Sequence, residues 1–413
     1  MPLSARTRAL SLVVSAALLA GCSFAATPTA AHSPAPASPA LTSPPPTSKP
    51  SAGASPTAAP SSAPTPTPAD APSTAASCTG PIPAGDNLIL GAIAGSAAVV
   101  LRDITDLANP RTLCTFAGTP SPRFVTASVI SFSEGGANLG DPGDVLRVDL
   151  GAASQRKVAT WSGSTFGSGL FDWSPDGQSA TYVAPAGDGW AWHLLTAGAA
   201  DRVLTTMPPV PGRGGSPDDS FSVSFSPDGL YLAMVETFTT GSGETAPVQV
   251  RRASDGGLVH SAASGTMGVW ASVPSRFFYR ENHSGAVTRW DPSTGVSPMQ
   301  SSLQWVRPFA SPDGRWVAYT VYDGQGLPHV GLYSVQGNSF GLINQQLRSG
   351  AQFVNDRYVW YQGESLCGGN PCGLRSTQPS GTTYLYEIAT STENTSRIKS
   401  LYDAWPRGTG HGT

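Results

Sequence analysis

The sequence predicts an all-β fold, a β-propeller of seven blades with six as the alternative, preceded by a leader and a long unstructured tether. Three observations predict it. The tetrapeptide Ser-Pro-Asp-Gly occurs at 174–177, 226–229 and 311–314, each time between an apolar or aromatic stretch and a strand-like run. Such a turn is explicable residue by residue: proline presets φ, aspartate tolerates the next position, and glycine takes the left-handed one. Worn copies stand at Val125, Val273 and Val354, so the turns begin at 125, 174, 226, 273, 311 and 354, spaced 49, 52, 47, 38 and 43 residues. Steps of this size fit four-stranded propeller blades.

The third strand of each unit gives a second count: 98–104, 145–150, 190–195, 248–253, 286–291, 330–335 and 384–389. Seven strands against six turns leave the first unit (87–116) without an initial strand. The missing strand is found at the other end of the chain. Leu401-Tyr402-Asp403-Ala404-Trp405-Pro406-Arg407-Gly408 aligns without gaps on Leu170-Phe171-Asp172-Trp173-Ser174-Pro175-Asp176-Gly177. The C-terminal strand is therefore expected to complete the first blade and close the ring, which removes the open edges a linear array would carry.

Composition bounds the remainder. Charged residues make up 12% of the chain, Gly and Pro number 46 and 38, and the net charge is −3. With three lysines (Lys49, Lys157 and Lys399) and no basic run, nucleic-acid binding is not expected. Residues 1–21 read as a signal peptide, with Arg6 and Arg8 before an apolar stretch too short to span a bilayer. It ends in Leu19-Ala20-Gly21-Cys22, which resembles the lipobox of bacterial lipoproteins. That resemblance implies that Cys22 becomes the lipidated N-terminus and that the chain is extracytoplasmic and held at a membrane. From Phe24 to Ser77 the sequence is almost entirely Ala, Pro, Ser and Thr, a composition that stays disordered and locally polyproline-like, so that 22–77 reads as the lipidated cysteine and its tether. At about 3.1 Å per residue it could reach on the order of 170 Å as a spacer. The propeller is expected over 78–408, with a disordered tail at 409–413.

The pattern aromatic-Ser-Pro-Asp-Gly-x-x-apolar-Ala, best copied at Phe225-Ser226-Pro227-Asp228-Gly229-Leu230-Tyr231-Leu232-Ala233, resembles the WD-repeat-like propeller of TolB-type periplasmic proteins. The resemblance implies fold and not activity, because propellers host many functions.

Four further cysteines, Cys78, Cys114, Cys367 and Cys372, allow three pairings, and export favours disulfides. Local pairing would join Cys78 to Cys114 and Cys367 to Cys372. No metal or cofactor is expected, since Cys367-x4-Cys372 has no histidine nearby and Asp141 and Asp144 are too sparse for calcium. Four connections are long: 207–220, 236–246, 362–382 and 133–143. All leave from the face opposite the tight turns, where a rigid scaffold would display variable chemistry. Candidate binding residues on it are Arg213, Asp218, Asp219, Glu236, Glu244, Glu364 and Arg375. On the innermost strands Asp172, Asp403, Gln352 and Arg307 alternate with apolar neighbours and could face the central channel. The turn aspartates read as turn chemistry.

No nucleophile elbow, zinc-protease motif or phosphate loop occurs. The expected function is a monomeric binding or scaffold module for a protein, peptide or envelope glycan, and an enzyme is the less favoured reading. In that alternative Asp172 and Asp403 would be paired acids of a glycan- or peptide-cleaving site.

Overall fold

The computed structural model describes residues 73–407, except 75, 84–86, 94–97, 117–121, 135–142, 153, 162–170, 187–188, 198, 208–220, 237–246, 272–273, 282–284, 301–304 and 368–375. The leader, Cys22, most of the tether and the tail 408–413 lie outside the described residues.

The described residues form a seven-bladed β-propeller. Listed from the axis outward, blade 3 is Phe171–Trp173, Ser179–Ala186, Gly189–Thr196 and Arg202–Met207. Blade 2 is Arg123–Thr126, Val129–Glu134, Gly143–Asp149 and Ser154–Trp161. Blade 4 starts at Phe221–Phe225, blade 5 at Thr266–Ala271, blade 6 at Val306–Ala310 and blade 7 at Arg348–Phe353. Blades 4 and 5 are joined by one parallel pair, Glu236 with Thr266. Blade 1 takes its inner strand from the C-terminal Asp403–Trp405, which pairs antiparallel with Leu88–Leu90. The ring thus closes where the sequence alignment of its two ends places the closure.

The three Ser-Pro-Asp-Gly turns are built alike. Ser174 Oγ donates to Asp176 Oδ1 at 2.6 Å and accepts from Ser179 N at 2.8 Å, while Gln178 N donates to the same Asp176 oxygen at 2.9 Å. Asp228 and Asp313 repeat these contacts with Ser226 and Ser311. The closing glycines Gly177, Gly229 and Gly314 have φ of 68°, 70° and 65°, where a side chain would be strained. Hydrogen bonds from Ser174 and from the Gln178 N–H hold the Asp176 carboxyl below its usual range. In all three turns one carboxylate oxygen is thus engaged within the turn itself.

Each blade is covered on both faces by its neighbours, so its strands bury residues of both alternations; Phe221–Phe225 is buried throughout. The core accordingly divides into seven clusters, one at each blade interface. Trp192, Trp270, Trp305 and Trp360 are among its largest fully buried side chains.

Two differences from the sequence reading concern boundaries. The tether was expected to remain unpaired to residue 77, yet Ser73–Thr74 adds a fifth strand to the outer edge of blade 2 and Ala76–Cys78 one to blade 1. An unpaired outer edge offers a row of free backbone groups, and even a Ser/Ala segment can satisfy them. Cys78 lies directly across from Cys114 and is disulfide-bonded to it. Cys367 is also disulfide-bonded, to a partner outside the described residues, as Cys372 itself is. The long connection expected over 362–382 is shorter, because Glu364, Ser365 and Leu366 pair with Pro379, Gln378 and Thr377.

Candidate functional site at the channel and its long-loop rim

The inner strands carry one repeat position that decides what the channel contains. It is the residue preceding Ala404, Phe124 and Trp173, which face Ile89, Ile130 and Ala180 in equivalent registers of blades 1, 2 and 3. The position is held by Asp403, Arg123 and Asp172, so the charges alternate negative, positive, negative around the axis. Asp403 Oδ2 accepts from Phe124 N of blade 2 at 2.7 Å, and Asp172 Oδ2 accepts from Phe225 N of blade 4 at 2.8 Å. Each aspartate is thus a latch onto the following blade. Both are almost fully buried, 1% and 3% exposed.

Arginines complete the cluster. Arg407 occupies the place that aspartate holds in the other turns. Its guanidinium pairs with Asp172 Oδ1 and donates to Trp173 O at 2.9 Å, so it runs from blade 1 past blade 2 to blade 3. Arg123 lies 3.8 Å from the same Asp172 oxygen. Burial pushes the Asp403 carboxyl up to about 6, against the opposing pull of Arg407, the Phe124 N–H, Arg123 and the Ala404 N–H. Arg123 is buried too, which lowers its pKa despite Asp172 and Asp403.

Gln352 holds the same repeat position in blade 7, but its buried Oε1 makes no hydrogen bond. The amide it would meet by the same rule, that of Ala404, is already bonded to Asp403 Oδ1 at 3.0 Å. The first latch across the closure is therefore left unmade.

At the long-loop end, blades 5, 6 and 7 differ from the others. Their inner strands bulge at one common register, between Thr266 and Val269, Val306 and Phe309, and Ser349 and Gln352. The residue in each bulge has positive φ: Met267 at 54°, Arg307 at 48° and Gly350 at 66°. For Met267 and Arg307 this conformation costs on the order of 1 kcal/mol or more each, a cost that recurs where a side chain is being aimed. The bulges are tied to the preceding blade, with Gly350 N donating to Thr320 Oγ1 at 3.3 Å and Arg280 donating to Trp305 O at 3.2 Å. Arg307 is exposed on this rim, and Tyr322 and Leu366, at the long-loop ends of the second strands of blades 6 and 7, are exposed as well.

The structure brings Asp172 and Asp403 into one ion network and sets Arg307, Gln352 and Glu364 on the inner and second strands of blades 6 and 7. Glu364 accepts a hydrogen bond from Ser349. Glu236 ends the second strand of blade 4. Arg213, Asp218, Asp219 and Arg375, with Glu244, lie outside the described residues. Sequence reasoning did not find Arg123 or Arg407 as partners of the aspartates. Among the described residues no cluster of three or more His, Cys, Asp or Glu is placed to hold a metal ion. A groove of about 250 Å³ lies between the outer parts of blades 6 and 7, walled by Trp316, Phe340, Leu342 and Tyr386 with Ser339 and Ser391.

No protein-family model matches the chain, and no curated protein matches it. Solved structures do. A prolyl endopeptidase aligns over 78% of this chain and 50% of its own, at 13% identity and a TM-score of 0.52. Prolyl oligopeptidase B of Galerina marginata, bound to a 35-residue substrate, aligns over 79% and 51% at 13% identity and 0.50. TolB of Acinetobacter baumannii aligns over 62% and 63% at 17% identity and 0.42. The likeness is one of fold. The chain spans about half the length of each peptidase and 63% of TolB.

Proposed function

We propose that this chain is a membrane-anchored, extracytoplasmic binding module that presents the long-loop face of its propeller to a protein, peptide or envelope glycan. The observation that carries the reading is the state of the channel carboxylates. A hydrolytic pair needs acids with unspent hydrogen-bonding capacity near a reacting bond. Asp172 and Asp403 instead face backbone amides of the next blade and share two buried arginines. What remains for recognition is the rim, where Arg307 is held exposed on a strained bulge and Tyr322 and Leu366 are exposed at the ends of second strands. The lipobox-like Cys22 and the Pro-rich spacer give such a module its anchor and its reach.

The test is photocrosslinking in intact cells from position 307 or 322, compared with position 230, which is exposed in a Ser-Pro-Asp-Gly turn on the opposite face. The expected result is a captured partner from 307 or 322 and none from 230, weakened by Arg307→Glu in the crosslinking from 322. Capture from 230 alone would overturn the face assignment. Cys22→Ser should move the chain from the membrane to the soluble fraction, and retention at the membrane would rule out the lipid anchor. The hydrolase reading draws on Asp403, an acid raised to about 6 beside a second carboxylate. Turnover of a glycan or peptide panel, lost in a folded Asp403→Asn variant, would put that reading in place of this one.

A further inference from the structure

A strand at the edge of a sheet presents unpaired N–H and C=O groups, and it templates a further strand unless a cover, a bulge, a proline or a charge prevents it. The outer strands of the blades differ in this respect. Those of blades 1 and 2 are covered by Ala76–Cys78 and Ser73–Thr74. In blade 3 the outer strand opens with Arg202, and its ladder is bulged between Trp192 and His193. Blade 4 is bulged between Val250 and Arg251, and blade 5 has both a bulge between Val287 and Thr288 and Pro298 within the strand. The outer strand of blade 7 carries Glu393, paired with Arg348 at 3.0 Å. Blade 6 ends in Ser339-Phe340-Gly341-Leu342, which pairs with residues 331–334 in unbroken register and holds neither proline nor charge. Among the described residues no further strand pairs with it. The groove between blades 6 and 7 opens beside this edge. Gly341 stands opposite Leu332 in the ladder, and a Cβ there would meet nothing within 4 Å. Trp316 of blade 6 and Tyr386 and Ile388 of blade 7 wall the space, and Leu342, which also lines it, is 41% exposed.

We propose that the outer edge of blade 6 is a strand-addition site: it takes an extended segment of another protein and seats one of that segment's aliphatic or aromatic side chains in the groove at Gly341. Main-chain pairing supplies the affinity, and the groove selects the side chain. The same fold already makes this kind of pairing at blades 1 and 2, where short extended segments complete an outer edge. The chain's own tether is poorly suited to this edge. From residue 28 to residue 72 a proline recurs at least every six residues, and each removes a pairing N–H. A second copy meeting this strand edge to edge would pair over four residues, a contact far smaller than the roughly 1,000 Å² of a stable dimer. The site lies on the perimeter of the disc and is independent of the long-loop face.

The probes are synthetic heptapeptides in which threonine alternates with valine around a central leucine, phenylalanine or tryptophan, with a matched set that has proline in place of the valines. Hydrogen exchange of the full chain is followed with and without each peptide at millimolar concentration. At least one valine peptide should slow exchange at Ser339–Leu342 on the order of 10-fold and leave Leu258–Ala262 and Thr392–Thr395 unchanged, while the proline set has no effect. Leu342→Lys, at an exposed side chain, and Gly341→Trp, which fills the groove, should each weaken binding on the order of 10-fold, the size expected for one buried apolar side chain. No protection at Ser339–Leu342 by any valine peptide would overturn the proposal, as would equal protection by the proline set or binding indifferent to both variants. Concentration-dependent protection of these amides in the chain alone, with a dimer in sedimentation that Leu342→Lys dissociates, would make the occupant a second copy and would also overturn it. The exchange comparison in the wild-type chain needs no variant, so it decides the matter even if a variant does not fold.

Discussion

Replacing Arg407 by methionine tests whether the charge cluster, and not only strand pairing, holds the ring closed. Arg407 and Asp172 are 12% and 3% exposed, and the guanidinium makes both an ion pair and a 2.9 Å bond to Trp173 O. Removing one member of a buried pair typically costs about 3–5 kcal/mol, mostly because the other charge is left behind. Here Asp172 keeps Arg123 at 3.8 Å and the Phe225 amide, so the loss should fall at the low end, about 3 kcal/mol. For a domain of roughly 300 residues this corresponds to a fall in Tm of about 4 °C. Asp172→Asn should cost a similar amount alone, and the double variant much less than the sum, giving a coupling of about 2 kcal/mol in urea unfolding at pH 7. Because the pair is buried, the coupling should survive 0.5 M salt, which screens surface pairs. Additive losses, with a coupling below about 0.5 kcal/mol, would show that the arginine contributes only packing and that the closure rests on backbone pairing.

The remaining predictions concern the edges and the packing. Changing Cys78 and Cys114 to alanine removes a cross-link spanning 36 residues, for which chain entropy gives an upper estimate of about 4 kcal/mol. A matching fall in the thermal midpoint, with faster exchange of Ala76–Cys78, is expected, and an unchanged midpoint would show that the added strand holds itself. Gly331→Ala would set a Cβ within 2.3 Å of the buried Tyr319 ring and should cost about 1–3 kcal/mol in urea unfolding. Gly341→Ala, where nothing lies within 4 Å, should stay within about 0.5 kcal/mol of the wild type. Equal costs at the two sites would mean that the Tyr319 contact does not limit the packing of blade 6.

Blade number, ring closure and the turn chemistry were legible in the sequence because each is written locally: a glycine that must take positive φ, a strand of period two, an octapeptide that repeats. The expected third strands 98–104 and 384–389 overlap the observed Val99–Asp103 and Thr377–Glu387. The added strands at Ser73–Thr74 and Ala76–Cys78 were not legible, since Ser and Ala there carry no strand signal and pair because blade edges offer unsatisfied partners. The bulges at Met267 and Arg307 left no mark either, because neither residue favours the left-handed region. Arg307 and Gln352 were found as inner-strand polar residues, but nothing local says that one is exposed on a bulge and that the other has a buried Oε1 without a hydrogen-bond partner.

Asp172 shows most clearly why the rest stayed hidden. As an acid alternating with apolar neighbours it was visible, and it invited a catalytic reading. Its partner Arg407 is 235 residues away, a separation at which no spacing rule along the chain reports contact. The information was nevertheless present in another direction. Placing the repeats one above another puts Asp403, Arg123 and Asp172 in a single column, and puts Arg407 where the other turns have aspartate. In a ring, neighbours in such a column are neighbours in space, so an alternation of charge down the column predicts inter-blade pairing. By the same logic the column turns apolar at Val269 and Phe309 in blades 5 and 6, where no charged latch forms and the bulges tie the blades together instead. The charged arc is therefore the part of the ring that links blades 1, 2 and 3 across the closure, whereas the bulged arc leaves Arg307 exposed and Met267 buried.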